Sequence, residues 1–252
     1  MTIRWAAASA VGAMVLFAIY FIFLAGQVDY PRTDTSEIDR DQLFRTTEKL
    51  LKESEEWPAD LTADSVTVAS SLEPYPVRTV MYAVEVDAPL EKAIEYVRGL
   101  NYSGPGRTDR PEKDKYEVVL HQQDKAGRPH EWVRRSVHIS PPPGGNRDAV
   151  VVYFEDRPDA KTYRTAFQSV ETIAGKDFPE VDDAVRFKVL PSMYKVEEKA
   201  SGKVLIRKVE AVDPKGAMST PMNNCCISRL FFRNYMFDEA REMQATLSAV
   251  QR

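Results

Sequence analysis

The chain contains little cysteine, and that scarcity excludes several classes of protein. Its 252 residues include two cysteines, and these are the neighbours Cys225 and Cys226. Because adjacent cysteines cannot join distant segments, the chain has no disulfide framework. A redox role is disfavoured as well, since there is no C-x-x-C spacing and no basic neighbour to lower a thiol pKa. The pair is better interpreted as two small apolar side chains near a helix start.

The motifs of metal, nucleotide and hydrolase chemistry are also missing. The three histidines, His121, His130 and His138, form no H-E-x-x-H pattern, so we predict no metal site and no cofactor. Neither a G-x-S-x-G sequence nor a Walker loop occurs. The formal net charge is −4, without a stripe of lysine and arginine. Binding to a phosphate backbone needs clustered positive charge, so nucleic acid is excluded as a partner.

What the chain does have is an N-terminal run that is long enough to cross a bilayer. From Ala6 to Gly26 there is no charged residue, and as a helix this run extends about 31 Å at ~1.5 Å per residue. A cleaved signal peptide has a shorter apolar core and small residues before the cut, and Leu24-Ala25-Gly26 provides only a poor version of that site. Residues 1–26 are therefore predicted to be a transmembrane signal-anchor.

The orientation of this single-pass span follows from few charges. Arg4 and the amino terminus precede it, which favours the N-terminus inside and the domain on the outer face, periplasmic or luminal. Arg32, Arg40 and Arg45 lie on the far side and oppose that orientation. Residues 27–40, polar and rich in Thr and Asp, are interpreted as a linker between the span and a domain over residues 41–252.

The periodicity after the linker predicts helices at both ends of a region rich in strands. Leu43, Phe44, Thr47, Leu50 and Leu51 have helical spacing. A second helix begins after Asp87-Ala88-Pro89, and Gly99 is suited to its C-terminal cap. Apolar alternation predicts strands near 66–69 and 80–86, and further strands over 117–122, 131–139, 148–155, 163–171, 184–190, 193–198 and 203–212.

The last element is a long amphipathic helix of about twenty-five residues. Its apolar residues recur at steps of three and four: Phe232, Met236, Ala240, Met243, Leu247 and Val250. Short connections between the strands imply antiparallel neighbours. The order of elements therefore predicts an α+β domain, in which an antiparallel sheet is covered on one face by a helix.

Several of these segments resemble the START (StAR-related lipid transfer) family of the helix-grip fold. The resemblance extends from about Asp41 to the C-terminus and rests on five stretches in the family's order: VEVDAPLE at 84–91, NRDAVV at 146–151, SVE at 169–171, AVR at 184–186 and VDPKG at 212–216. The chain departs from the family after Gly216, where Ala217–Thr220 precede Pro221 instead of one large apolar residue.

The resemblance implies a curved antiparallel sheet that grips the C-terminal helix, with a tunnel between them for one lipid. Some sterol-binding members have a buried arginine six residues after the arginine of the "RD" stretch, but Tyr153 stands there in this chain. Sterol contacts therefore cannot be transferred, and the class of lipid stays open between sterol, phospholipid and other acyl lipids.

Candidate cavity residues follow from the strands and from the closing helix. They are aromatic or apolar residues together with one arginine: Trp132, Tyr153, Phe167, Arg186, Tyr194, Phe232 and Met236. The aromatic residues are equally suited to a second small core. Arg186 would anchor an anionic head group if it points inward. The alternative is a solvated or salt-bridged arginine, since arginine is rarely buried unpaired.

The segment 213–224 is predicted to be the gate of the tunnel, with Asp213, Gly216, Met218 and Pro221 as candidate residues. It joins the last strand to the closing helix, and it lacks a periodic apolar pattern to hold it in place. The alternative is a rigid connector, because proline and glycine also mark ordinary turns.

Together these features favour non-enzymatic lipid binding at a membrane. Two alternatives remain at this point. One is an enzyme, because helix-grip relatives include cyclases and aromatases, and inward acid and base groups with shifted pKa values would favour it. The other is a regulatory lipid sensor that does not transfer its ligand.

Overall fold

The computed structural model describes residues 28–102, 115–123, 129–138, 146–179, 182, 184–215 and 226–249, with only the backbone described between 101 and 138. The predicted span, residues 1–26, lies outside these ranges. Among the helices within them, none combines the length and the apolar character that crossing a membrane requires.

Three α-helices and thirteen strands make up the described chain. The helices are α1 (Arg40–Ser54), α2 (Leu90–Tyr102) and α3 (Cys226–Ala249), and a 3-10 helix (Thr35–Glu37) precedes α1. The strands are β1 (Ala59–Ala63), β2 (Val66–Ser71), β3 (Thr79–Val86), β4 (Lys115–Gln123), β5 (Pro129–His138), β6 (Asn146–Asp159), β7 (Thr162–Ser169), β8 (Thr172–Ile173), β9 (Lys176–Asp177), β10 (Ala184–Arg186), β11 (Lys188–Val189), β12 (Ser192–Glu198) and β13 (Val204–Asp213).

Most of the strands form one antiparallel sheet. Its order is β1-β2-β3-β13-β12-β7-β6-β5-β4, and β8 and β9 form a separate hairpin. The prediction of one strand over 184–190 was wrong, because the chain changes partner at Phe187. Before it, β10 pairs with β6 in parallel, and after it, β11 pairs with β13. The parallel pair also departs from the all-antiparallel sheet that we expected.

The two faces of the sheet bury two separate apolar cores. The inner face, covered by α2 and α3, carries alternate residues of β2, β3, β6, β12 and β13 and meets Ile94 and Val97 of α2 and Met236, Ala240, Met243 and Leu247 of α3. The outer face carries the intervening residues and packs against α1 through Leu43, Phe44, Leu50 and Leu51. Strand alternation thus places one set of side chains under the closing helix.

The start of α1 and the end of α2 show how far capping signals predict helix ends. Asp39 caps α1, since its carboxylate accepts a hydrogen bond from the Gln42 amide at 3.0 Å. In α2, Gly99 is not the C-terminal cap that we expected, because the helix continues to Tyr102. A glycine cap needs a left-handed φ, and the described glycines with positive φ are Gly175 and Gly202.

The described part of the segment 27–40 is attached to the domain. The Thr33 carbonyl accepts hydrogen bonds from the amides of Glu171 at 2.9 Å and Thr172 at 3.3 Å. Asp34 Oδ2 accepts one from Thr172 Oγ1 at 2.5 Å and one from the Gly175 amide at 2.8 Å. The Thr and Asp residues that suggested a linker are therefore the groups that attach this segment to β8 and the turn after it.

Candidate functional site

The closing helix α3 directs one acidic side chain at the inner face of the sheet. Glu239 Oε1 accepts hydrogen bonds from the phenols of Tyr82 at 3.1 Å and Tyr194 at 2.8 Å. Lys208 Nζ lies 3.2 Å from Glu239 Oε1 and 3.4 Å from Oε2. These four residues, Tyr82, Tyr194, Lys208 and Glu239, form the Glu239 cluster, which joins α3 to β3, β12 and β13.

The charges of the Glu239 cluster are largely shielded from water. The side chain of Lys208 is 7% exposed and that of Glu239 is 16% exposed. Glu210, on the same strand face as Lys208, supplies a second carboxylate at 2.9 Å from Nζ. The ammonium group also lies 5.0 Å from the centre of the Tyr194 ring, a cation–π distance. Lys208 is thus held by two carboxylates and an aromatic face.

The pKa shifts in the cluster favour a charged Lys208 and Glu239 beside two neutral phenols. Burial opposes a charged Lys208, but Glu210 and Glu239 outweigh it and hold the pKa of Lys208 well above its ordinary value. Burial likewise acts to raise the pKa of Glu239, but Lys208 and the tyrosine hydroxyls lower it. The pKa values of Tyr82 and Tyr194 are raised by burial and by neighbouring groups that include Glu239. All four pKa values are shifted further from neutral pH.

An aromatic row runs across the inner face beside this cluster. The rings of Tyr153 and Phe167 stack with centroids 5.2 Å apart, and those of Phe167 and Tyr194 stack at 6.0 Å. Tyr82 meets Tyr194 edge-on at 6.4 Å. These side chains belong to the same core as Met236 of α3, so aromatic rings and a methionine contribute to one apolar core between sheet and helix.

A second polar group lies where α2 meets the sheet. Arg98 Nε and Nη2 donate to the two carboxylate oxygens of Glu155 at 2.7 and 2.8 Å, and the Tyr163 hydroxyl donates to Oε1 at 2.6 Å. The hydrogen bond to Glu155 raises the pKa of Arg98, whereas burial opposes it. This fork holds α2 against β6 and β7.

Thr165 lies between these two groups and is itself unengaged. The register pairs it with Tyr194 on one side and with Glu155 on the other. Its side chain is fully buried, and its Oγ1 has no hydrogen-bond partner among the described residues. A buried hydroxyl without a partner is costly, so Thr165 is a polar group on the inner face with capacity to bind a ligand atom.

The structure brings most of the predicted cavity residues together. Tyr153, Phe167 and Tyr194 form the aromatic row, Met236 is buried in the same core, and Phe232 packs half-buried on that core. The backbone of Trp132 pairs with Tyr153, and its side chain lies outside the described part. That these residues contact a ligand stays a prediction.

Arg186 has the salt-bridged arrangement that was one of its two interpretations. Its Nε donates to Asp148 Oδ2 at 3.1 Å, and its other nitrogens donate to the carbonyls of Phe178 at 2.7 Å and Pro179 at 2.8 Å. Its charge is compensated by the buried Asp148. An anionic head group would have to compete with that carboxylate.

The predicted gate is described only at its beginning. Asp213 ends β13, and its Oδ1 accepts a hydrogen bond from the Lys215 amide at 3.0 Å. Gly216, Met218 and Pro221 lie outside the described residues. The gate therefore stays a prediction.

The charged half of the site was not predicted, although the sequence contains a signal for it. Glu239 is three residues after Met236 and four before Met243, so it lies on the apolar stripe of the helix. Lys208 continues the inward alternation of Val204 and Ile206. A charged residue in a buried stripe marks a partner on the opposing element.

The fold matches solved structures of lipid transfer domains at low sequence identity. Human StAR-related lipid transfer protein 5 superimposes with a TM-score of 0.65 at 18% identity, over 84% of this chain and 97% of that one. Human STARD10 superimposes with a TM-score of 0.64 at 16% identity, over 84% of this chain and 81% of that one. A fragment of a STAR-related lipid transfer protein from Xanthomonas axonopodis superimposes with a TM-score of 0.57 at 14% identity, over 76% of this chain and 98% of that one.

Sequence comparison alone finds none of this similarity. No family model matches the chain, and no curated protein matches it. The resemblance that the five short stretches indicated is nevertheless confirmed by the architecture: the described chain has the fold of the START domains.

Proposed function

We propose that the chain binds one lipid between the inner face of the sheet and the closing helix, and that residues 1–26 hold it at a membrane. The observation that carries this proposal is the inner face itself, where an aromatic row and a buried methionine lie beside unpaired and paired polar groups. Sites for small apolar ligands combine these features, with apolar walls and a few placed polar groups. Similar solved structures named as lipid transfer proteins support it.

The energetics of such a site suit an acyl lipid. Each buried methylene contributes ~0.8 kcal/mol, so half an acyl chain supplies about 5 kcal/mol or more. Met236 and Met243 give the helix side a lining that adapts to flexible chains. Thr165 Oγ1 would donate to, or accept from, a polar atom of the ligand and so fix its position along the sheet.

The protonation states of the site favour binding over catalysis. A general acid or base works best with a pKa near the operating pH. In the Glu239 cluster the pKa of Lys208 is raised, the pKa of Glu239 is lowered and those of both tyrosines are raised. None of these shifts brings a group toward neutral pH, so the cluster is suited to a fixed ion pair with two phenol donors.

Native mass spectrometry of the full chain, purified with lipids from its host membrane, tests the proposal. We expect one lipid per chain, released on unfolding. A bound small molecule that the protein converts to a product would favour the enzyme alternative. A chain that carries no ligand after gentle extraction would contradict the proposal and favour a regulatory domain with a filled core.

The proposed location follows from the N-terminal run. Residues 1–26 would span the bilayer once, and the domain over residues 41–252 would lie on the outer face, periplasmic or luminal. A tether of this kind raises the effective concentration of the domain at the membrane from which lipid is taken or to which it is delivered.

A further inference from the structure

The ends of the strands define two rims of the sheet, and the described N-terminal segment lies at one of them. We use "near rim" for the strand ends at Ser71, Thr79, Ser169, Ser192 and Asp213, which the register places side by side, and for the start of β6 at Asn146, which extends five residues past the pairing of Val151 with Ser169. The opposite ends, at Val66, Val86, Asp159, Thr162, Glu198 and Val204, form the "far rim". Ten residues of β13 separate the rims by about 30 Å at ~3.3 Å per residue.

The chain reaches the near rim immediately after the proposed span. The carbonyl of Val28, two residues beyond Gly26, accepts a hydrogen bond from Lys215 Nζ, and that same ammonium group lies 4.3 Å from the centre of the Tyr30 ring. Tyr30 packs against a small core formed by Val77, Leu190 and Ala211. Little free chain is left between the end of the span and the domain.

Hydrogen bonds continue this attachment through the following residues. Besides the bonds from Thr33 and Asp34 to β8, the Thr33 amide donates to Glu171 Oε2 at 2.8 Å. The Ala174 amide donates to Thr35 Oγ1 at 3.1 Å. Residues 28–37, the docked segment, are therefore fixed on the domain at several points, so the near rim is held at the end of the span.

The exposed apolar side chains supply an independent observation. Among the residues whose side chains the structure describes, the large hydrophobic ones that remain exposed are Leu72, Val185, Leu230 and Tyr235. Leu72 directly follows β2 at the near rim, and Val185 pairs with Arg147 at the start of β6. Leu230 and Tyr235 lie in the first half of α3.

The direction of α3 places its first half toward the same rim. Arg229 Nε donates to Asp60 Oδ1 at 2.6 Å, and Asp60 in turn accepts from Ser70 near the end of β2. At the other end of the helix, Gln244 Nε2 donates to the carbonyls of Asp64 at 2.9 Å and Glu85 at 3.3 Å, which belong to the far rim. All four exposed hydrophobic residues thus lie at or toward the near rim.

We infer that the near rim of the sheet lies against the lipid bilayer that holds the chain's own span, with Leu72 and Leu230 in contact with lipid. This inference rests on the proposed anchor. The docked segment sets the orientation of the domain, and the exposed hydrophobic residues gain burial from it, since apolar surface of this kind marks membrane or protein contacts. The far rim stands away from the bilayer by the length of the strands.

Depth-dependent quenching tests the orientation. The full chain, with Cys225 and Cys226 replaced by serine, carries one cysteine at Leu72 or Leu230 on the near side, or at Ser201 or Lys161 on the far side. Each variant is labelled with a fluorescent maleimide and reconstituted into phosphatidylcholine vesicles with brominated acyl chains. We expect quenching several-fold stronger at Leu72 and Leu230 than at Ser201 and Lys161. Equal quenching at both rims overturns the inference.

A matched pair of variants tests the docked segment. Asp34→Ala removes the acceptor for Thr172 and Gly175, whereas Asp29→Ala changes an exposed residue of the same segment. The contrast in quenching between the rims should shrink in Asp34→Ala and stay in Asp29→Ala. An unchanged contrast in Asp34→Ala would overturn the role of the docked segment.

Two further outcomes separate the possible failures. Release of the labelled protein by alkaline carbonate would overturn the anchor and the orientation together, whereas retention with equal quenching would overturn the orientation alone. If the cysteine at Leu72 cross-links to a second copy of the chain in lipid-free detergent, the near rim is a protein–protein interface and the inference is wrong.

Discussion

At the scale of single residues, Glu239 is a side chain whose replacement should lower the free energy of unfolding. Glu239→Gln keeps the shape but removes one of the two carboxylates that compensate Lys208, which is 7% exposed, and leaves Glu210 as the other. Breaking a buried ion pair from one side costs about 3 kcal/mol when the remaining charge is uncompensated, so with Glu210 still in place the loss should be smaller, about 1–2 kcal/mol. Urea denaturation should show this loss as a lower free energy of unfolding of the variant. Asp238→Asn, an exposed neighbour on the same helix, should leave the midpoint near that of the wild type, and a similar loss in both variants would contradict the role of the cluster.

The same residue predicts an acid-dependent loss of stability. The folded-state pKa of Glu239 lies below its ordinary value of 4.5, so its contribution is present above that pH and is lost as the pH falls through the folded value. The contribution of Lys208, whose pKa is raised, is fully present below 10.5 and is lost only as the pH rises through its folded value. Urea unfolding from neutral pH down to pH 3 should therefore show a steeper acid limb in the wild type than in Glu239→Gln. Parallel curves of stability against pH for the two proteins would contradict this prediction.

At this scale the aromatic residues of the site could be predicted from the sequence, and the charged residues could not. The aromatic residues Tyr153, Phe167 and Tyr194 were found, because aromatic side chains on alternating strand positions are conspicuous candidates. Lys208 and Glu239 were not found, because Lys208 lies on β13 and Glu239 on α3, and the pattern of either element alone does not show the pair. Which lysine meets which glutamate depends on how α3 lies across β13, and this depends on long-range packing that the local pattern does not contain.

At the scale of elements, the contact between α3 and the sheet makes a prediction for binding. Met236, 3% exposed, lies in the same core as the aromatic row, and Met236→Trp should occupy space that the ligand needs and weaken binding of a fluorescent lipid. Tyr235→Trp is the matched control, because Tyr235 is exposed on the same helix turn. Circular dichroism would confirm that both variants are folded. Equal affinity of the two folded variants would show that this face is ordinary core.

The attachment of α2 to the sheet depends on the fork between Arg98 and Glu155. Arg98→Gln should lower the free energy of unfolding by about 2 kcal/mol, since Glu155 is left buried and Arg98 is only partly shielded from water. Lys92→Gln removes an exposed ion pair with Glu95 in the same helix and should leave the denaturation midpoint unchanged. If both variants melt alike, the fork does not hold α2.

Most elements were predicted with the right type, but no strand was predicted at β1 or for the β8–β9 hairpin, and the ends of elements were predicted less well. Strand alternation and the spacing of Leu43 and Leu50 gave the right types of element, because each local pattern agrees with the face that is buried. The end of α2 and the division at Phe187 were missed. Both are decided by tertiary contacts: α2 continues past Gly99 beside the sheet, and the Phe187 amide donates to the Asp148 carbonyl at 2.9 Å.

At the scale of the whole molecule, the proposed span predicts how the protein fractionates. We expect full-length protein in the membrane pellet after alkaline carbonate, because residues 6–26 are long enough to cross a bilayer and poorly formed for cleavage. A variant with Leu16→Arg and Ile19→Arg should move to the supernatant. Recovery of a soluble wild-type species that begins near Gln27 would overturn the anchor.

The architecture was predictable at this scale because the order of elements and five short stretches pointed to one fold. The attachment of residues 28–37 was not predictable. Threonine and aspartate occur equally in free linkers and in docked segments, and what distinguishes the two is a surface with matching hydrogen-bond groups. That surface, the Glu171–Gly175 turn, lies far along the chain from the residues that it binds.

The reach of Glu239 to three strands also limits how the closing helix can move. A helix advances ~1.5 Å and rotates ~100° per residue, so a slip by one residue would separate Glu239 from Tyr82, Tyr194 and Lys208 at the same time. A purely apolar helix could slide between several nearly equivalent positions on the same sheet, whereas a single buried polar contact is known to select one alignment. Because Glu239 meets a residue of each of three strands, the contacts of this one side chain select a single alignment of α3 on the sheet.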